Sequence, residues 1–202
     1  NRYRCSLRGM KTSVYEGGIR TLFLWDWPKL GHDERSSNTM AAHIDLLPTI
    51  LQACNICPPN VQLDGRSFLS VLQNPDSRLP ARNLFIQTHR GNQPQAYHHF
   101  AAIGERWKLV NHSGFGKETL QGDPKFELFD LQNDPFEMSD LSHEHPEIAK
   151  QLKADYDRWF QDVSHTRKDN YDVPVIQIGT PHEPVTVLSR QDMRKSPSHG
   201  EP

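Results

Sequence analysis

The chain has 202 residues with 23 basic and 25 acidic side chains, a formal net charge of −2, so no electrostatic footprint for nucleic acid is present. No basic run suggests a membrane surface, and no apolar stretch approaches the roughly 18 residues of a spanning helix. Hydrophobic residues at 35% with 15 prolines allow one sizeable core with many loops, or a domain followed by a tail.

In chain order, Gly9-Met10-Lys11 and Tyr15-Glu16-Gly17-Gly18 frame a tight turn. The glycines allow sharp turning or close backbone approach. Thr21 to Trp25 is continuously apolar, as expected of a strand buried on both faces. Pro28 to Asn38 is polar and turn-rich, hence a loop. Asn38 or Thr39 then caps a helix carrying Met40, Ile44, Leu47, Ile50 and Leu51 on one side, with Pro58-Pro59 ending it. Pro48 imposes a kink or a fresh helix start with Asp45 near its first turn. Ser67 to Leu72 forms a short helical piece.

From Leu84 the pattern changes to strands: Leu84–Thr88, His99–Ile103, Trp107–Val110 and Phe126–Asp130, with Gly104-Glu105 as a hairpin connection. Local hairpins predict an antiparallel sheet with one face covered. Pro146 opens a helix to about His165 whose stripe of Ile148, Leu152, Tyr156, Trp159, Phe160 and Val163 would cover that sheet. Val173 to Ile178 reads as an edge strand, and Ser189 to Pro202 as a flexible end. The expected organisation is an α/β portion over residues 1–80, a sheet-plus-helix subdomain over 81–165, and an extended tail over 166–202.

Cysteine and histidine usage narrows the chemistry. Three cysteines are too few and odd for a disulfide framework, and Cys54-Asn55-Ile56-Cys57 lacks the second pair or βαβ setting of a zinc or redox motif. Cys54 falls on the apolar face of its helix and is expected to be a buried structural thiol. The 11 histidines show no His-x-x-x-His or His-Glu-x-x-His spacing, so no independent zinc site is indicated. Lys11 offers a compact ammonium able to hold sulfate or phosphate. On chemistry alone a solvated loop lysine remains the simpler reading.

The order of motifs adds to this. Gly9-Met10-Lys11, Tyr15-Glu16-Gly17-Gly18, Arg20 and Trp27-Pro28 resemble a signature segment of the sulfatase family. Ala42-His43-Ile44-Asp45-Leu46-Leu47-Pro48-Thr49-Ile50-Leu51 and Leu63-Asp64-Gly65-Arg66-Ser67 continue the resemblance. Arg106-Trp107-Lys108-Leu109 and Glu127-Leu128-Phe129-Asp130-Leu131-Gln132-Asn133-Asp134-Pro135-Phe136-Glu137 extend it, so that it covers about residues 1 to 165. It implies an α/β, alkaline-phosphatase-like fold, of which this chain would be the C-terminal part, with a four-stranded antiparallel sheet packed by a long helix.

The resemblance also implies sulfate-ester hydrolysis with a formylglycine nucleophile made from Cys in a Cys-x-Pro-Ser-Arg motif, and calcium held by aspartates and an Asn. Neither Cys5-Ser6-Leu7-Arg8 nor Cys57-Pro58-Pro59 matches that motif, and no residue of this chain is assigned as a metal ligand. With Asn1 rather than Met at its start, the chain reads as a piece beginning after the last metal ligand. Lys11 carries over as the clamp on a non-bridging sulfate oxygen, a charge-assisted contact worth about 1.5–3 kcal/mol.

His112, in the loop after the Trp107 strand, is a further candidate, for the leaving-group side. His43 is expected to be structural, and Asp130, Asp134 and Glu137 a solvated turn rather than a metal cluster. Trp25, Trp27 and Trp107 fit structural strand positions. The expected partner is a sulfated small molecule or glycan, with neither nucleic acid nor membrane involved, in a secreted or periplasmic setting. The chain by itself is expected to be inactive. The alternatives are a non-catalytic sulfatase-like module binding sulfated glycans, and a phosphonate or phosphodiester hydrolase on the same fold.

Overall fold

The computed structural model describes residues 6–27, 36–74, 76–88, 94–114, 119–165, 175–178 and 186–189. Cys5, most of the Pro28–Asn38 loop and residues 190–202 of the expected flexible end lie outside them. Four strands, β1 (Leu84–Gln87), β2 (Phe100–Ile103), β3 (Trp107–Asn111) and β4 (Glu127–Asp130), form one antiparallel sheet in the order β1-β2-β3-β4. Gly104 N–H donates to Trp107 O at 2.8 Å and closes the β2–β3 hairpin where the sequence places it. Every strand is joined to its sequence neighbour, as local hairpins dictate.

The period-2 alternation of the strands divides their side chains between two faces. Phe100, Ala102, Leu109 and Leu128 face a helix, α4 (Pro146–His165), and pack with its Leu152 and Tyr156. Ile148, Trp159 and Phe160 border this cluster, so the predicted stripe is the packing face. Val163 stands half-buried outside that cluster. The phenol of Tyr156, with no exposure, accepts from Tyr97 N–H at 3.0 Å, which satisfies its polar end inside the core.

The opposite face is not open, as a single covered face would require. Ala101, Ile103, Val110 and Phe129 pack there against Val14 and Tyr15, with Ile19 and Met40 at the margin. The segment after the Lys11 turn is therefore the second layer on the sheet. Its short helix α1 (Glu16–Ile19) closes with Arg20 N–H on Glu16 O at 2.9 Å. Gly17 and Gly18 are required by close approach: a Cβ on Gly18 would lie 2.1 Å from Ser13 O, and one on Gly17 would lie 2.6 Å from Arg8 O.

Thr21–Trp25 is not a strand. It runs without ladder bonds among the described residues, with Leu22 and Leu24 80% and 81% exposed. An apolar run becomes a strand only when another strand takes its backbone bonds, and among the described residues no strand of the sheet pairs with this segment. Phe23 and Trp25 instead set their rings edge-on to Phe68, each at 5.6 Å.

Pro48 does coincide with a fresh start. A 3-10 turn over His43–Asp45 leads into α2 (Leu46–Ala53), and Pro48 lies in its first turn, where a missing N–H costs no helix bond. The helix ends before Pro58: Asn55 takes φ +55° and Ile56 N–H donates to Leu51 O at 2.8 Å, a left-handed C-terminal closure. The predicted apolar side is largely uncovered: Ile44, Leu47 and Ile50 are exposed, while Met40 and Leu51 are half-buried. Thr49 is the residue that packs inward, bridging Asp45 O (2.7 Å) and Phe68 N–H (3.1 Å). Cys54 caps this helix and is exposed, as is Cys57, so the buried-thiol expectation is overturned. A short α3 (Leu69–Gln73) follows. Val175–Ile178 is a strand, β5, paired antiparallel with β6 (Thr186–Ser189), which periodicity did not reveal. Among the described residues no helix is long and apolar enough to cross a membrane.

Candidate active-site wall

The site is built from the Lys11 turn laid over one face of the sheet. Ser13 N–H donates to Met10 O at 2.9 Å and Met10 N–H to Ser13 Oγ at 3.3 Å, which folds residues 10–13 into a tight loop. Lys11 stands exposed at its tip. Arg8, Gly9, Met10, Thr12, Ser13, Tyr15 and His112 line an open pocket of about 400 Å³ beside it. Thus Met10 and Thr12, flanking Lys11, share a pocket with His112, although the two segments lie a hundred residues apart.

Strand parity explains the meeting. Lys108, Val110 and His112 alternate onto the sheet face that the turn covers. The exposed His112 ring lies tilted against Tyr15 at 5.0 Å between ring centres. Partial desolvation, then the nearby His99 and Arg8, press its pKa below the ordinary histidine range, with Glu127 opposing. A neutral imidazole offers one donor and one acceptor to a ligand.

Arg8 forms the pocket's inner edge. Its guanidinium lies 3.9 Å from the Tyr15 ring centre, donates to Glu137 O at 2.9 Å, and reaches Glu127 Oε1 at 3.2 Å. Burial and the Glu127 carboxylate push the Tyr15 hydroxyl far up, so it keeps its hydrogen and donates to Glu127.

Below the turn is a buried ion cluster. Lys108, with no exposure, places Nζ 2.9 Å from Glu16 Oε1 and 2.7 Å from Glu137 Oε1. Glu137 Oε2 accepts from Glu16 N–H at 2.6 Å, which ties α1 to the turn after β4. Burial raises the Glu137 pKa, Lys108 pulling against it.

The predicted solvated turn is therefore wrong for two of its three acids: Glu137 is fully buried and Asp130 nearly so. The oxygens are also already used. Asp130 accepts from Arg106 Nε and Nη2 at 3.0 and 2.6 Å, and Asp134 Oδ2 from Met138 and Ser139 N–H at 2.7 and 2.9 Å. This set does not fit calcium or another metal ion, and no group of three or more His, Cys, Asp or Glu among the described residues is placed to hold one. The exposed thiols of Cys54 and Cys57 are outside the pocket lining.

His43 is exposed rather than packed. Its neighbour Asp45 is the anchor of that segment, 1% exposed, accepting from Arg66 N–H (2.9 Å), Ala42 N–H (2.8 Å) and Arg82 Nη1 (2.7 Å). Burial alone would raise the Asp45 pKa; the Arg82 and backbone donors outweigh it and hold the carboxyl below its usual range. Arg8 and His99 lay in no motif of the resemblance, while Asp45 and Lys108 lay in segments of it without being assigned a role. The available signal was parity for Lys108 and a charged residue amid apolar strand neighbours.

A four-stranded sheet between a long helix and a lysine-bearing turn makes a mixed α/β protein, and the solved structures it resembles include sulfatases of alkaline-phosphatase-like fold. Residues 10–162 match the family described as N-sulphoglucosamine sulphohydrolase, C-terminal, and the chain belongs to that sulfatase family. It is 25% identical over 193 residues to an ulvan-active sulfatase of Formosa agariphila, covering 82% of this chain and 38% of that protein. It is also 25% identical over 152 residues to an N-acetylgalactosamine-6-O-sulfatase of Bacteroides thetaiotaomicron, covering 72% of this chain and 28% of that one. A solved structure from work on glycosaminoglycan metabolism by Bacteroides thetaiotaomicron superposes with a TM-score of 0.55 at 25% identity, over 81% of this chain and 32% of that one. The chain spans well under half the length of these relatives.

Proposed function

We propose that this chain is the C-terminal wall of a sulfate-ester hydrolase site, with Lys11 holding a non-bridging sulfate oxygen and His112 meeting the leaving-group side. The observation behind this reading is that the Lys11 turn and His112 border one open pocket in a member of a sulfatase family. Sulfate-ester hydrolysis breaks the S–O bond to the leaving alcohol, which must gain a proton, while charge on the sulfonyl oxygens is neutralised by cations. Lys11 supplies such a cation. The nucleophile and the metal ligands come from outside this chain, which is why the chain alone is inactive in this reading. Formylglycine and calcium are the groups the family resemblance implies for them. Ulvan-active and N-acetylgalactosamine-6-O- in the relatives' names support a sulfated glycan as substrate, met in a secreted or periplasmic setting.

The test is titration of the 202-residue chain with inorganic sulfate and a sulfated monosaccharide, beside an aryl-sulfate turnover assay with calcium. Binding that weakens about tenfold or more in Lys11→Ala, with no turnover, is expected from one charge-assisted bond. Clear turnover by this chain, or binding indifferent to Lys11, would sink the proposal. The second reading is sulfated-glycan binding by the same pocket without hydrolysis. Turnover by the full-length gene product separates the two.

A further inference from the structure

His99 stands at the site without any role in the chemistry above. Its ring is buried, 1% exposed, one residue before β2 and on the covered face of the sheet. Nε2 lies 2.7 Å from Thr12 O and Nδ1 lies 3.0 Å from His112 O. One carbonyl belongs to the Lys11 turn, the other to the histidine across the pocket. Carbonyls only accept, so a neutral ring donates to one of the two, and both bonds form together in the imidazolium, with a hydrogen on each nitrogen. The sheet ladder continues beside them, His99 N–H donating to Ser113 O at 3.0 Å, while His99 itself takes φ +46° at the entry to β2.

The turn's own bonds, between Met10 and Ser13, are local. Its flanks are held by Arg8 on Glu137 O and by Val14 and Tyr15 in the core, and His99 ties the Thr12 carbonyl between them to the sheet. Thr12 takes φ +86°, a strained conformation for a β-branched residue that persists only when its surroundings hold it. The Thr12 carbonyl is the atom that His99 grips.

We propose that His99 is the positioning residue of this site, a two-sided clamp that sets the Lys11 turn against His112 and so fixes the pocket's width for the sulfate ester. The ester rests on the function proposed above; the clamp does not. A loosened clamp would let Lys11 sample positions from which it no longer meets the anion, reducing affinity without removing a contact group.

Two amide substitutions separate the sides of the clamp. In His99→Gln the side-chain nitrogen reaches toward the Nε2 position and keeps Thr12; in His99→Asn it reaches toward Nδ1 and keeps His112. Amide hydrogen exchange is read at residues 11–13 of the full chain, with thermal melting as the folding control. Loss of one buried hydrogen bond predicts that His99→Asn speeds exchange of the turn by about tenfold, while His99→Gln leaves it within about twofold of wild type.

Equal loosening by both variants, or by neither, overturns the clamp. Nitrogen-resolved NMR of the wild-type imidazole reads the same proposal without a variant: hydrogens on both ring nitrogens of His99 support it, and a hydrogen on one alone overturns it. Sulfate titration keeps the two ideas apart. A wild-type chain that shows the clamp but binds no sulfate sinks the function and leaves the clamp standing.

Discussion

Lys108 lies on β3 with no exposure, between the carboxylates of Glu16 and Glu137, and is the residue on which the turn's support converges. Replacing it with a hydrophobe strands two carboxylates in a buried site. Breaking a buried ion cluster by removing one partner costs about 3–5 kcal/mol. Lys108→Met is therefore expected to lower the denaturant midpoint severely, and a loss under about 1 kcal/mol would show that these acids are solvated. At this scale the turn that carries Lys11 was legible because its glycine-flanked segment belongs to an ordered series of motifs. Lys108 was not, since a lysine in an apolar strand reads as ambiguous until the acids that meet it are known. Glu16 and Glu137 lie on segments 92 and 29 residues away from it.

Among the elements, the turn over residues 10–13 carries the functional reading and also the strain. Thr12 at φ +86° departs from what a β-branched residue adopts. Thr12→Gly relieves strain of order 1–3 kcal/mol, less about 0.5–1 kcal/mol for glycine's extra freedom when unfolded. A net gain of about 1 kcal/mol is expected in thermal unfolding, and a loss would mean that the threonine side chain makes a stabilising contact. The strands, their hairpin and α4 followed from period and turn chemistry, α4 with both ends as predicted. Thr21–Trp25 and the apolar side of α2 did not, because a buried pattern states what a segment would bury and not whether a partner is there to cover it.

For the molecule as a whole, acid stability reflects its ion pairs. Arg106, opposed by slight desolvation and aided by Asn133, lowers the Asp130 pKa from 3.8 to about 2. That contribution is fully present above pH 3.8 and is lost as pH falls toward about 2, the unfolded chain binding the proton first. Asp45 acts in the same direction. Unfolding free energy should drop across this window, and Asp130→Asn should flatten the drop while lowering stability at neutral pH. An unchanged slope in the variant would remove Asp130 from the account. Local periodicity, turn residues and motif order were enough to read the four-stranded antiparallel sheet, the covering helix and the family from the chain of residues. They could not reveal that the Lys11 turn is the sheet's second layer, that His99 and Lys108 hold it, or that His112 shares its pocket. Those are contacts between segments about a hundred residues apart, chosen in the folded molecule by pleat parity and buried charge pairing that no local window contains.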